Sequence, residues 1–135
     1  MSKSTSSTPT LADQYRVAGN PISHSKSPQI HSLFAEQTGQ NIEYQTMLIE
    51  LGQFATGMDR FRANGGCGSN VTLPFKQDAW SYADTLSESA ERAGAVNTLK
   101  FDGDKVFGYN TDGPGLVRDL TVNHKVVVKN RRVLL

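Results

Sequence analysis

Ser69-Asn70-Val71-Thr72-Leu73-Pro74-Phe75-Lys76 reads as a short strand that runs into a proline and then into a helix carrying Ala79, Trp80 and Ala83. The same strand-to-helix junction recurs on either side, and that recurrence decides the fold. Tyr15-Arg16-Val17-Ala18 is a strand ended by Gly19-Asn20-Pro21. Ser27 then caps a helix with Pro28 at its first position, where a missing N–H is tolerated. Ile30, Leu33 and Phe34 form the buried stripe of that helix, and Gly39 stops it. Ile42, Tyr44, Thr46 and Leu48 alternate with polar residues as a second strand. Leu51, Phe54, Met58 and Phe61 recur at helical spacing up to Gly65-Gly66, and a shorter helix around Ser87–Ala93 closes at Gly94. Val96–Phe101 and Lys105–Tyr109 flank Asp102-Gly103, a hairpin signal because glycine accepts positive φ. Asp112 caps a last helix through Leu116, Val117 and Leu120. Strands separated by helices imply parallel βαβ units with right-handed crossovers, while the hairpin adds an antiparallel element. The expected architecture is a three-layer α/β/α fold, a mostly parallel mixed sheet with helices on both faces.

A chain of 135 residues is one domain, or one domain with a piece of another. The net charge of +1, from 14 basic against 13 acidic residues, gives no reason to expect nucleic acid or an anionic membrane as partner. Cys67 is the only cysteine, so an intrachain disulfide and a cysteine zinc site are excluded. His24 and His31 stand seven apart with no third ligand at useful spacing, and no metal is expected. No apolar run approaches the ~20 residues that span a bilayer, and the N-terminus lacks the apolar segment of a secretory signal. A cytoplasmic location follows as an expectation, and the sequon Asn70-Val71-Thr72 then reads as chance. Seven of the first ten residues are Ser or Thr, so residues 1–14 are expected to be a disordered tail before an ordered domain over 15–130. Arg131-Arg132-Val133-Leu134-Leu135 reads as the opening of a buried strand that belongs to a further domain.

The chemistry-bearing residues cluster where strands meet loops or helix starts, which is where ligands collect in open α/β sheets. Most lysines are solvated surface charges. Lys76, however, follows Pro74 and Phe75, which fix its approach and partly desolvate it, and so suits it to proton transfer. A carboxylate beside it opposes that desolvation, so Asp112 takes an orienting and charge-balancing role. Ser25 and Ser27, at a helix N-terminus with free N–H groups, make a modest anion site as well as a cap. The Asn97 amide suits a ligand hydroxyl or local strand-end bonds, and Thr72 is first of all a β-branched strand residue. Neither a P-loop nor G-x-G-x-x-G occurs. These residues by themselves point to a small polyhydroxylated acid handled by a Lys/Asp pair.

Four stretches carry a resemblance. Gly19-Asn20-Pro21-Ile22-Ser23-His24-Ser25-Lys26-Ser27-Pro28-Gln29-Ile30-His31, then Asn70–Lys76, then Gly94-Ala95-Val96-Asn97-Thr98-Leu99, then Gly108-Tyr109-Asn110-Thr111-Asp112-Gly113 resemble shikimate dehydrogenase in order and spacing. The likeness covers nearly everything from Tyr15 to Leu135. It implies the NADP-dependent reduction of 3-dehydroshikimate to shikimate in aromatic amino acid biosynthesis, by an enzyme of two α/β domains with substrate between them. Ser25 and Ser27 would hold the substrate carboxylate, and Thr72, Lys76, Asn97 and Asp112 would line the ring and its hydroxyls. Lys76, paired with Asp112, would transfer the proton, and Glu88 would lie where this domain approaches the cofactor. In the family the strand resembling Arg132–Leu135 runs into a Gly-rich dinucleotide loop. The chain therefore reads as the substrate domain without its NADP-binding partner domain, inactive alone and binding no NADP(H) tightly, and a homodimer is left open. Two positions depart from the family: Pro114 stands where a β-branched residue is expected, and Cys67 where a polar or basic one is common. The rival readings are a broader shikimate/quinate dehydrogenase and a non-catalytic shikimate-binding module.

Overall fold

The computed structural model describes residues 10–134. Strand β1 (Asp13–Gly19) pairs in parallel with β2 (Ile42–Leu48) on one side and with β3 (Gly66–Val71) on the other. Helices α1 (Ser27–Thr38) and α2 (Phe54–Ala63) are the crossovers between them. After β3 come α3 (Lys76–Tyr82), the two-residue β4 (Thr85–Leu86) and α4 (Glu88–Ala93). The hairpin β5 (Thr98–Asp102) and β6 (Lys105–Tyr109) follows, then α5 (Asp112–Arg118), which continues as a π-helical turn at Asp119–Asn123. The sheet order is β2-β1-β3-β5-β6-β4. Three of its five pairings are parallel and two antiparallel, the mixed sheet expected from the alternation of elements.

Successive strand residues point to opposite faces, and β1 shows the consequence. Ala18 joins the larger core of Ile49, Phe54, Met58, Val71, Phe75 and Ala79, beneath α2 and α3, which Ala90 of α4 also enters. Its neighbour Val17 joins Ile22 and Tyr44 on the side that carries α1. Helices thus cover both faces. Phe75 is buried against Phe54, with ring centroids 5.5 Å apart. Burial of such a ring contributes about 1.5–3 kcal/mol, and this one anchors the start of α3 directly beside Lys76.

Several local expectations are corrected. The stripe Ile30, Leu33 and Phe34 is 44%, 56% and 55% exposed, and α1 has no buried residue. The helix meets the sheet through His31, whose ring stacks on Tyr44 at 4.0 Å. Periodicity located the helix but not the face it turns to the sheet. Ser27 is the first helical residue and not the cap; its N–H donates to Ser25 Oγ at 3.3 Å. Lys76 is the first residue of α3, not a loop residue, because Thr72–Phe75 closes a turn (Phe75 N to Thr72 O, 3.0 Å) just before it. Asp112 is likewise the first residue of α5 and not its cap; its carboxylate faces Lys76 and Asn97, and Asn110 Oδ1 accepts its N–H at 2.9 Å. Asp102 pairs with Lys105, which leaves Gly103 (φ +57°) and Asp104 as the turn. Leu51 lies outside α2 and is exposed, as are Leu116 and Val117 of α5, while Leu120 falls in the π-helical turn. Pro114 sits in the first turn of α5, where a missing N–H is no loss.

Strand β1 begins two residues inside the expected tail, whose first nine residues lie outside the described ones. Residues 131–134 form no strand and are exposed, and Leu135 is outside the described residues.

Candidate functional site

Topology brings four loops to one rim. Parallel β1 and β3 end at Gly19 and Val71, so the segments after them leave the sheet at the same edge. Asn20 N donates to Leu73 O at 3.1 Å and ties the two together. Antiparallel β5 starts at Thr98 and β6 ends at Tyr109, which places Asn97 and Asn110–Asp112 at that edge as well. Gly19 permits the close approach: a Cβ there would stand 2.6 Å from Thr72 Cγ2 and 3.2 Å from Leu73 O.

At the centre Lys76 Nζ donates to Asp112 Oδ2 at 2.7 Å. Asn97 Nδ2 donates to Asp112 Oδ1 at 3.0 Å and to Thr111 Oγ1 at 2.8 Å. Both carboxylate oxygens are therefore held, and the ammonium is aimed by the carboxylate. The backbone fixes the pieces: Val96 N donates to Lys76 O (2.8 Å), Asn97 N to Tyr109 O (3.0 Å) and Thr72 N to Ala18 O (2.9 Å). The lysine and aspartate side chains keep 30% and 51% of their exposure, so the pair is open to solvent and stabilises the fold by at most about 1 kcal/mol. A geometry held this firmly for so little stability suits ligand contact better than fold maintenance.

Of the residues singled out from sequence, Lys76, Asn97 and Asp112 form one bonded group, and Thr72 lies at the same rim. Ser25 and Ser27 sit at the start of α1, where the Ser25 hydroxyl accepts the Ser27 N–H. Ser27 also neighbours the Tyr44 phenol, which burial pushes well above its ordinary value while the Ser27 hydroxyl opposes the rise. Glu88 is not part of this group: it opens α4 and is ion-paired to Arg92 on an exposed helix face. Cys67 is a free thiol in β3, next to the register shift opposite Gln14 and Tyr15.

Sequence reasoning gave no role to Tyr44, Asn70, Thr98, Asn110 or Thr111. Tyr44 OH donates to Asn70 Oδ1 (2.7 Å), Asn70 Nδ2 to Thr98 Oγ1 (3.0 Å), and Thr98 Oγ1 to Asn97 Oδ1 (3.0 Å). Asn110, itself buried, donates to Ala95 O at 3.0 Å. An asparagine inside a central strand is a signal in its own right, because buried polar groups require partners. Beside this line of residues, under α1, lies a hollow of about 380 Å³ lined by Tyr15, His31, Phe34 and Tyr44 among others. Among the described residues no group of three His, Cys, Asp or Glu could hold a metal ion, and no helix is long and apolar enough to cross a membrane.

Known proteins resemble this chain in sequence and in fold. The profile of the shikimate dehydrogenase substrate binding domain matches residues 17–99. A shikimate dehydrogenase (NADP(+)) from Alkalilimnicola ehrlichii is 54% identical over 125 residues, 93% of this chain and 46% of the relative. The crystal structure of an Ael1 enzyme from Pseudomonas putida superposes with a TM-score of 0.83 at 44% identity, over 90% of this chain and 45% of that one. A shikimate 5-dehydrogenase from Thermus thermophilus, solved with NADP(H) and shikimate, gives a TM-score of 0.77 at 33% identity over 83% of this chain and 42% of its own. The chain spans about half the length of the curated relatives it matches.

Proposed function

The chain belongs to the shikimate dehydrogenase substrate binding domain family, and from that premise we propose that its rim binds shikimate and 3-dehydroshikimate, with Lys76 as the proton-transfer residue. The observation that carries the reading is the 2.7 Å contact of Lys76 Nζ with Asp112 Oδ2, with Asn97 on the other carboxylate oxygen. Ser25 and Ser27, together with the N-terminal end of α1, receive the substrate carboxylate, since hydroxyls and a helix N-terminus both favour an anion. Thr72, Asn97 and Asp112 take the ring hydroxyls. In the reducing direction the Lys76 ammonium gives its proton to the carbonyl oxygen as that oxygen becomes a hydroxyl; in the oxidising direction the amine accepts it. Asp112 orients the amine and balances its charge.

NADP supplies or accepts hydride when bound. No glycine-rich dinucleotide loop occurs in this sequence, so its residues are assigned only substrate binding and proton transfer. Glu88 remains the one candidate for approaching the cofactor from this side, and the protein is placed in the cytoplasm by the same reading.

Two measurements test the proposal. Adding shikimate to the 15N-labelled chain should shift the amide signals of Ser25, Ser27, Asn97 and Asp112, and no NADP-linked turnover should accompany it. Turnover by the pure 135-residue chain would overturn the assignment of this piece as the substrate side alone. In an enzyme carrying this domain together with a nucleotide domain, Lys76→Ala should lower kcat by about 10²–10⁴ and change KM less. An unchanged kcat removes Lys76 from its role.

A further inference from the structure

The hydrogen bonds around Asn97 have a defined direction. Thr111 N–H, which can only donate, points at Asn97 Oδ1 (3.1 Å), while the Asp112 carboxylate, which accepts, takes Asn97 Nδ2 (3.0 Å). These partners leave one orientation for the Asn97 amide. Asn70 is oriented in the same way, because its Nδ2 also faces the acceptor-only backbone carbonyl of Asn97 (3.4 Å). Its Oδ1 must then accept, and Tyr44 OH donates to it. Between the two amides stands the Thr98 hydroxyl, which accepts from Asn70 Nδ2 and spends its single proton on Asn97 Oδ1. All donors run one way, from Tyr44 to Asn70, Thr98, Asn97 and Asp112, and end at the carboxylate that aims Lys76.

We infer that Thr98 is a positioning residue: its hydroxyl, itself held by Asn70, supplies the second hydrogen bond to Asn97 Oδ1 and so steadies the amide whose Nδ2 holds Asp112. Thr98 itself touches no reacting atom. The inference rests on the reading of Lys76, Asn97 and Asp112 as the ligand-binding group. Without the Thr98 hydroxyl, Asn70 loses an acceptor and Asn97 Oδ1 keeps only the Thr111 N–H. The Thr111 N–H and the Asp112 carboxylate still set the orientation of the Asn97 amide, but with one bond fewer the amide is held less tightly against Asp112.

The test uses the 15N-labelled 135-residue chain with Thr98→Val, which keeps the shape and removes the hydroxyl, and Thr98→Ser, which keeps the hydroxyl. Thr98→Val should move the side-chain NH₂ signals of Asn97 and weaken shikimate binding about 3- to 10-fold, the worth of one hydrogen bond. Thr98→Ser should leave the signals in place and binding within about twofold. Unmoved Asn97 signals in Thr98→Val overturn the inference. So does equal weakening by valine and serine, which would assign Thr98 to packing. Should Thr98→Val fail to fold, Tyr44→Phe removes the first donor without changing shape. It should shift the NH₂ signals of both Asn70 and Asn97, and unshifted signals overturn the relay. If shikimate shifts nothing in the unsubstituted chain, the ligand assignment fails, while the comparison of NH₂ signals still decides the relay.

Discussion

Gly68→Ala would place a methyl group 2.7 Å from the Leu99 carbonyl oxygen and 3.4 Å from the Tyr15 ring. The first contact is the costly one, because it is with backbone. Leu99 lies in the β3–β5 ladder, where Gly68 pairs with Lys100, Ser69 with Leu99 and Asn70 with Thr98. To relieve the overlap the two strands must part, and overpacking of this kind costs about 1–3 kcal/mol. For a chain of this size that is a fall in Tm of about 3–12 °C. Gly113 supplies the control: nothing lies within 4 Å of its Cβ position, and it occupies the first turn of α5. Gly113→Ala should therefore be neutral, or stabilising by up to about 1 kcal/mol, because alanine has less backbone entropy to lose. Thermal and urea unfolding followed by circular dichroism measure both. The strand separation should also loosen the Asn70–Thr98 bond, so Gly68→Ala should weaken shikimate binding where Gly113→Ala does not. A Gly68→Ala protein that melts at or above the parent temperature, or two variants that fall alike, would refute the steric reasoning.

Stability should depend on pH at the alkaline end. Burial pushes the Tyr44 phenol well above its ordinary 10.0, and it raises Tyr15 and Tyr82 as well. The unfolded chain then loses these protons before the folded one does. The stabilisation is complete below about pH 10 and is lost as pH rises towards the folded-state values. Urea midpoints between about pH 9 and about pH 11 should fall, and Tyr44→Phe should make that fall shallower; an unaltered slope counts against the burial argument. Asn110→Ala removes the acceptor of the Asp112 N–H and the donor to Ala95 O from a buried position, at a cost of about 1–3 kcal/mol. A urea midpoint unchanged by this substitution would mean that water replaces both bonds.

Much of the architecture was legible in local pattern. Gly39 and Gly94 end their helices in the left-handed region, with φ of 67° and 60°, as glycine after a helical run implies. The Val96–Tyr109 segment folds back as a hairpin, as the glycine between its two apolar runs implies. Strand–helix alternation was enough for the mixed sheet, since a parallel crossover leaves few topologies. The two-residue β4 was missed, because two residues carry no period.

What the chain alone determined, then, is the order and type of most elements and which residue types gather at their ends: Lys76, Asn97 and Asp112 lie far apart in sequence, and their types already suggested a polar acid as ligand. Tertiary structure decided which of their neighbours hold them. The Tyr44–Asn70 and Asn70–Thr98 bonds join residues 26 and 28 apart in sequence. The face α1 turns inward and the hold of Lys76 and Asn97 on the Asp112 carboxylate also come from packing. Periodicity and capping depend on residues a few positions away along one segment. Strand register and hydrogen-bond direction depend on which atoms of distant segments meet, and those atoms become neighbours only when the sheet forms.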